Sequence, residues 1–215
     1  MTQVSLDELV TRLRSGECLI SFPTDTVPAL AARPDQAALI FEAKQRSLDK
    51  PLILMAATIA DLWTYVTGSA EERRIWQQVA DHYLPGALTL VLPASDRVPA
   101  GMNPKDPSTI GVRVPDRAVA HAILSRTGPL ATTSANRSGQ SPLLTMEEIE
   151  QQFPQVLTLS NAELETLEGL QSVSPGISSG VPSTVIQWTG AGWKLLRQGA
   201  VKMETITGNL GTTIQ

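Results

Sequence analysis

The chain has 215 residues, 42% hydrophobic and 18% charged, with a formal net charge of −4. That composition supplies a continuous core and excludes intrinsic disorder and collagen-like or fibrous architectures. The longest uninterrupted apolar run, residues 52–57, falls far short of the roughly 18 residues a membrane helix needs, and the first eight residues lack a basic signal-peptide start. The expectation is therefore a soluble, cytoplasmic chain with no membrane contact. A single cysteine, Cys18, cannot form an internal disulfide, which fits a reducing compartment. Residues 1–137 hold 14 Lys+Arg against 14 Asp+Glu, and residues 138–215 hold 3 against 7, so no global basic grip on nucleic acid is signalled.

Leu6, Leu9, Val10 and Leu13 recur at helical spacing behind Ser5 as N-cap, with Gly16 as the stop. Residues 18–22 read as a buried strand ending at Pro23. A helix is expected from near Asp35 through Lys44, then a strand over 52–55. A further helix covers 71–83, where Ile75, Val79 and Tyr83 share a face. Strands are predicted at 88–92, 109–114 and 130–133, with a helix at 117–125 between the last two. An acidic surface helix at 146–152 and strands at 184–188 and 193–197 complete the chain. Strands alternating with helices predict an α/β class, one domain over residues 1–215 built on a twisted mixed sheet flanked by helices. The segment 172–183 is rich in Ser, Gly and Pro, and reads either as a surface connection or as a lid over a ligand.

Standard catalytic equipment is missing: no phosphate-binding G-x-x-x-x-G-K-[ST], no G-x-G-x-x-G, no H-E-x-x-H and no paired-cysteine spacing. His82 and His121 sit in helical stretches and read as packed or surface residues, so no protein-held metal site is expected. Polar clusters instead follow the strands, at 21–27, 44–52, 109–115 and 131–139, and strand-end loops of α/β sheets are where ligands gather. Singly, Asp25 and Asn136 read as turn formers and Lys44 and Lys50 as solvated charges. Arg113, flanked by Val112 and Val114, alternates with the buried face of its strand and points into a groove or over the sheet.

Together these clusters resemble the YrdC/TsaC family of threonylcarbamoyl-AMP synthases. The resemblance rests on Pro23-Thr24-Asp25-Thr26-Val27, Lys44 and Arg46 with Pro51-Leu52, Pro85-Gly86-Ala87-Leu88-Thr89, Gly111-Val112-Arg113-Val114-Pro115, Thr133-Ser134-Ala135-Asn136-Arg137-Ser138-Gly139, Pro182-Ser183-Thr184-Val185 and Arg197-Gln198-Gly199-Ala200. These follow the family order over nearly the whole chain, and resemble the short type without an additional C-terminal domain. The resemblance implies a YrdC-like fold and a nucleotidyltransferase that joins L-threonine, bicarbonate or CO2, and ATP into threonylcarbamoyl-adenylate and pyrophosphate. The product serves tRNA threonylcarbamoyladenosine modification by a downstream transferase complex, and a weak tRNA contact is implied. By the same resemblance, Lys44, Arg46 and Lys50 form the catalytic phosphate patch, with Mg2+ carried by the nucleotide. Thr24, Arg113 and Thr132 would hold threonine, and Arg46, Lys50, Thr109, Ser134, Asn136 and Arg197 would surround ATP. Positioned charge rather than a His nucleophile is what such phosphoryl chemistry needs. Family members usually follow P-T-D-T-V with Tyr or Phe, Gly, a small residue and Gly, whereas this chain has Pro28, Ala29, Leu30 and Ala31, and Met55 stands where longer relatives carry His. A non-synthesising nucleotide- or RNA-binding protein of the same fold is the alternative.

Overall fold

A computed structural model of the chain describes residues 2–16, 18–169, 179–202 and 206. The elements in order are β1 (Gln3–Val4), α1 (Leu6–Ser15), β2 (Ile20–Phe22), β3 (Ala29–Ala32), α2 (Ala37–Lys44), β4 (Ile53–Met55), α3 (Ile59–Leu62) and α4 (Ala70–Tyr83). They continue with β5 (Leu88–Pro93), β6 (Thr109–Arg113), α5 (Ala118–Thr127), β7 (Leu130–Ser134), α6 (Met146–Gln152), β8 (Thr158–Leu159), α7 (Asn161–Glu168), β9 (Thr184–Trp188) and β10 (Trp193–Arg197). Eight strands form one mixed sheet in the order β10-β9-β5-β6-β4-β7-β3-β2, and β1 pairs with β8 separately. The α/β class and mixed sheet agree with expectation.

Helix starts follow the local chemistry of the sequence. Ser5, Thr58, Ser69, Thr145 and Ser160 each accept a backbone N–H of the first turn on the side-chain oxygen, opening α1, α3, α4, α6 and α7. Two expectations shift. α4 buries Trp76, Val79 and Ala80, with Ile75 and Tyr83 only half-buried, because Trp76 turns inward to meet Trp188 edge-on at 6.3 Å between ring centroids. Residues 29–32, which carried no strand signal, form β3 between β2 and β7. None of these four residues branches at Cβ, so the pattern that marks a strand is missing, and pairing on both sides supplies what propensity does not.

The register gives the sheet two unlike faces. One row across it reads Ile186, Leu90, Val112, Leu54, Ala131 and Ala32, every residue buried. The next row, one residue along each strand and hence on the opposite face, reads Gln187, Val91, Gly111, Ile53, Thr132 and Ala31. The apolar row belongs to the contiguous core of the described residues, and the mixed row floors a cleft.

The far edge of the cleft is locked by two of the sequence motifs acting on each other. Thr184 donates its hydroxyl to Val201 O at 2.6 Å and accepts from the backbone N–H groups of Gly199 and Val201, while Ala200 N–H donates to Pro182 O at 3.0 Å. A Cβ on Gly199 would collide with the backbone of Pro182 and Ser183. Gly199→Ala is therefore expected to destabilise the protein by about 1–3 kcal/mol, the usual range for forced overpacking. Chemical denaturation measures this, and an unchanged midpoint refutes the close approach.

Candidate functional site

The cleft has a volume of about 800 Å³ and spreads over the mixed face of the sheet. Strands β3 to β7 and β9 contribute alternate residues to its floor, and the segments 46–53, 103–109, 134–142 and 182–183 form its walls. Sequence reasoning placed the site at strand ends. The structure adds the sheet face itself, because Thr132, Gly111 and Ala29 leave room above it.

Loop 45–52 builds the cationic wall. Gln45 takes a left-handed conformation, φ 49°, that ends α2 and turns the chain across the cleft mouth. Arg46 then folds back on its own loop, donating Nε to Lys50 O at 2.9 Å and Nη2 to Pro51 O at 3.0 Å. Burial lowers its pKa from the ordinary value, which for an arginine leaves it cationic at neutral pH. Arg46 and Lys50 both line the cleft, and Lys105 faces Asp49 at 3.4 Å beside them.

Lys44 is not a solvated charge. It is buried beneath the floor and is not among the lining residues, with its ammonium donating to Ser134 O and, at 3.3 Å, to Asn136 Oδ1. Asn136 also accepts from Ser134 Oγ at 2.6 Å and donates to Arg137 O and Gln140 O. The lysine thus fastens the turn after β7 to the end of α2 and presents Ser134 and Asn136 to the cleft. Burial first, then the neighbouring Arg46 and Lys50 charges, push its pKa down to about 7.

On the opposite side stands Arg113, in the central strand β6 and 3% exposed. Three acceptors hold its guanidinium: Gly86 O takes Nε at 3.0 Å, Thr26 Oγ1 takes Nη1 at 2.8 Å and Asp25 Oδ1 takes Nη2 at 2.7 Å. Desolvation lowers its pKa from the ordinary value, and Asp25 opposes that shift. Arg113 reaches the cleft while Asp25 and Thr26 do not line it, so one N–H on each Nη remains uncommitted among the described residues. Gly86 can supply its carbonyl only without a side chain, since a Cβ there would lie 2.6 Å from Tyr83 O.

The remaining predicted residues divide. Thr132 lines the cleft and donates to Ile53 O at 2.9 Å; Thr109 lines it and accepts from Asn103 Nδ2 at 3.2 Å. Arg197 lines it and donates to Ser183 O at 2.8 Å, while Ser183 in turn bonds Thr89 at 2.9 Å. Thr24 is buried away from the cleft lining, where its hydroxyl donates to Val27 O at 2.7 Å and shapes the 23–28 loop. Pro28 and Ala29 line the cleft beside it in backbone that needs no left-handed residue. Of the candidate lid, residues 172–178 lie outside the described residues.

The profile of the Sua5/YciO/YrdC proteins, described as telomere recombination, matches residues 11–199. The chain belongs to the Sua5/YciO/YrdC family. It is 36% identical over 153 residues to a Vibrio campbellii protein named threonylcarbamoyl-AMP synthase, covering 69% of this chain and 81% of that one. A human protein of the same name is 35% identical over 156 residues, covering 71% of this chain and 53% of its own length. The chain therefore spans about half the human relative. Pyrococcus abyssi Sua5 complexed with L-threonine superposes with a TM-score of 0.80 at 29% identity, covering 98% of this chain and 58% of that one. Escherichia coli YciO gives 0.76 at 25% identity, covering 94% and 92%.

Within this Sua5/YciO/YrdC frame, sequence reasoning missed Asp25 and Thr26 as the residues that fix Arg113. The available signal was an acidic residue in a strand-end loop of a chain that also puts an arginine inside an apolar strand. Breaking a buried pair costs about 3–5 kcal/mol, so Asp25→Ala is expected to lose about 3 kcal/mol, Thr26 and Gly86 still serving the guanidinium. Urea unfolding measures it; a loss below ~1 kcal/mol, the range of an exposed pair, refutes the burial argument.

Lys44 gives a pH signature. Its folded pKa of about 7 lies below the ordinary 10.5, so between these values the unfolded chain binds more protons. Stability of the native sequence relative to Lys44→Met is expected to rise with pH across that window, the burial penalty being fully present below it. A difference that stays flat or falls with pH refutes the assignment.

Proposed function

We propose that the chain is a threonylcarbamoyl-AMP synthase, a nucleotidyltransferase that makes threonylcarbamoyl-adenylate and pyrophosphate from L-threonine, bicarbonate or CO2, and ATP. The observation that carries this reading is one cleft holding a buried, partly uncommitted guanidinium on one side and the Arg46–Lys50 cationic wall on the other. The names of the Vibrio and human relatives and the threonine complex of the Pyrococcus structure support it.

In this reading the threonine carboxylate pairs with Arg113, with Thr132 beside it and Thr24 shaping the adjoining loop. The threonine nitrogen carries the carboxylate derived from bicarbonate or CO2. An oxygen of that carbamate attacks the α-phosphorus of ATP in line, the bond from that phosphorus to the bridging oxygen breaks, and pyrophosphate leaves with the electron pair. Arg46 and Lys50 neutralise the charge that develops on the leaving phosphates, while Ser134, Asn136, Thr109 and Arg197 surround the nucleotide. Lys44 acts from beneath by holding Ser134 and Asn136, which makes it a positioning residue. Mg2+ would enter on the triphosphate and screen its charge. A mixed anhydride of this kind is a reactive acyl donor, which suits hand-over to a tRNA-modifying transferase complex in the cytoplasm. Among the described residues no helix is long and apolar enough to cross a membrane.

Pyrophosphate release from ATP is expected only when threonine and bicarbonate are both present. Arg46→Ala or Lys50→Ala is expected to lower that rate by about 10–1000-fold. Arg113→Ala is expected to raise the threonine requirement by about 10–150-fold with far less effect on ATP affinity. ATP binding with no threonine dependence would instead mark a non-synthesising nucleotide-binding relative and overturn the proposal.

A further inference from the structure

Outside the cleft lies a second buried ion pair that the proposed chemistry does not use. Arg117 donates Nε to Glu168 Oε1 at 2.7 Å and Nη2 to Glu168 Oε2 at 2.9 Å, a bidentate pair with side chains only 15% and 4% exposed. Its placement runs against local helix chemistry. Arg117 is the N-cap of α5 and makes no side-chain cap bond, whereas α1, α3, α4, α6 and α7 all start on a Ser or Thr whose side chain caps the helix. A cation at the positive end of a helix is unfavourable there, so its role lies in what the side chain reaches.

What it reaches is the loop that holds Arg113. Arg117 Nη1 donates to Thr24 O at 3.3 Å, and the neighbouring Asp116 N–H donates to Asp25 Oδ1 at 3.1 Å, the same oxygen that receives Arg113. Glu168 closes α7, just before residues 170–178. On the other side of that segment, Ser179 Oγ and Gly180 N–H donate to Thr26 O at 3.1 and 2.8 Å. Residues 24–26 are therefore gripped from outside at the Thr24 and Thr26 carbonyls, by Arg117 and the 179–180 turn, and at the Asp25 carboxylate by Asp116, while the Asp25 and Thr26 side chains hold Arg113.

We infer that the Arg117–Glu168 pair is a positioning device for amino-acid recognition, setting the 24–26 loop and through it the angle at which Arg113 meets the threonine carboxylate. The inference rests on the synthase reading of the cleft. Its specific consequence is a split between the two substrates, because among the described residues the loop bonds Arg113 while Arg46 bonds only its own loop. A residue that acts through others in a packed network shifts affinity by about 3- to 30-fold.

The test uses the full chain with Glu168→Gln, Arg117→Lys and the inverted pair Arg117→Glu with Glu168→Arg. Threonine KM is read in the pyrophosphate assay, ATP Kd by calorimetry without threonine, and integrity by thermal melting. Glu168→Gln and Arg117→Lys are expected to raise threonine KM by about 3- to 30-fold with ATP Kd within about twofold. The inverted pair restores opposite charges yet places no donor on Thr24 O, so its melting point is expected to recover more than its threonine KM. Variants that fold and keep the native threonine KM overturn the inference alone. Variants that lose the fold, or lose threonine and ATP together, make the pair a general structural tie and overturn it as well. A native chain that binds ATP but shows no threonine dependence fails earlier, and overturns the synthase reading together with the inference.

Discussion

A guanidinium buried in the central strand of the sheet is the constraint around which the rest is arranged. An unpaired charge at Arg113 would be intolerable in a low-dielectric interior, so three acceptors must come to it from elsewhere in the chain. They come from loop 23–28 and from the Gly86 carbonyl. That requirement accounts for the packing of the loop, whose own threonine and aspartate side chains are spent internally rather than on the cleft. The guanidinium of Arg113 is consequently held and aimed before any ligand arrives, which lowers the ordering cost of whatever binds there.

The same strands that carry this charge also hold the molecule together. Alternation lets Leu54, Leu90, Val112 and Ile186 form a continuous apolar row on one face, while Gly111, Ile53, Thr132 and Gln187 stand on the other. Cleft and core are thus two sides of one sheet a single residue thick. A ligand resting on the floor is held against the most heavily paired part of the structure, and the polar walls are carried by loops anchored at both ends to it.

Most of the fold was legible because periodicity and capping are local. Ser5 and the helical spacing behind it announce α1, and the β-branched or leucine-rich runs announce β5, β6, β7 and β9. β3 was not legible, since Ala29, Leu30, Ala31 and Ala32 become a strand only through partners over a hundred positions away along the chain on one side, Ala29 pairing with Ser134. The site was legible as an inventory of motifs and not as geometry. Arg46, Lys50, Thr109, Arg113, Thr132, Ser134, Asn136 and Arg197 converge on one cleft, but nothing in a string of residues distinguishes Lys44, which works from below, from Lys50, which faces the cavity. Nor does it tell that Thr24 points away. Depth is a tertiary property, and neither residue type nor spacing encodes it.

The strand order has a consequence for how such a chain comes off the ribosome. β4 is inserted between β6 and β7, and β5 is flanked by β9, so the centre of the sheet is assembled from segments that emerge long after the strands they complete. Until residue 134 has been synthesised β4 has no antiparallel neighbour, and until residue 188 has followed β5 presents a bare edge. Topologies dominated by distant pairings close slowly and leave hydrophobic strand edges uncovered in the meantime. For this protein those strands are β3, β4 and β5, whose Leu30, Leu54, Leu90 and Leu92 wait for partners from the second half of the chain.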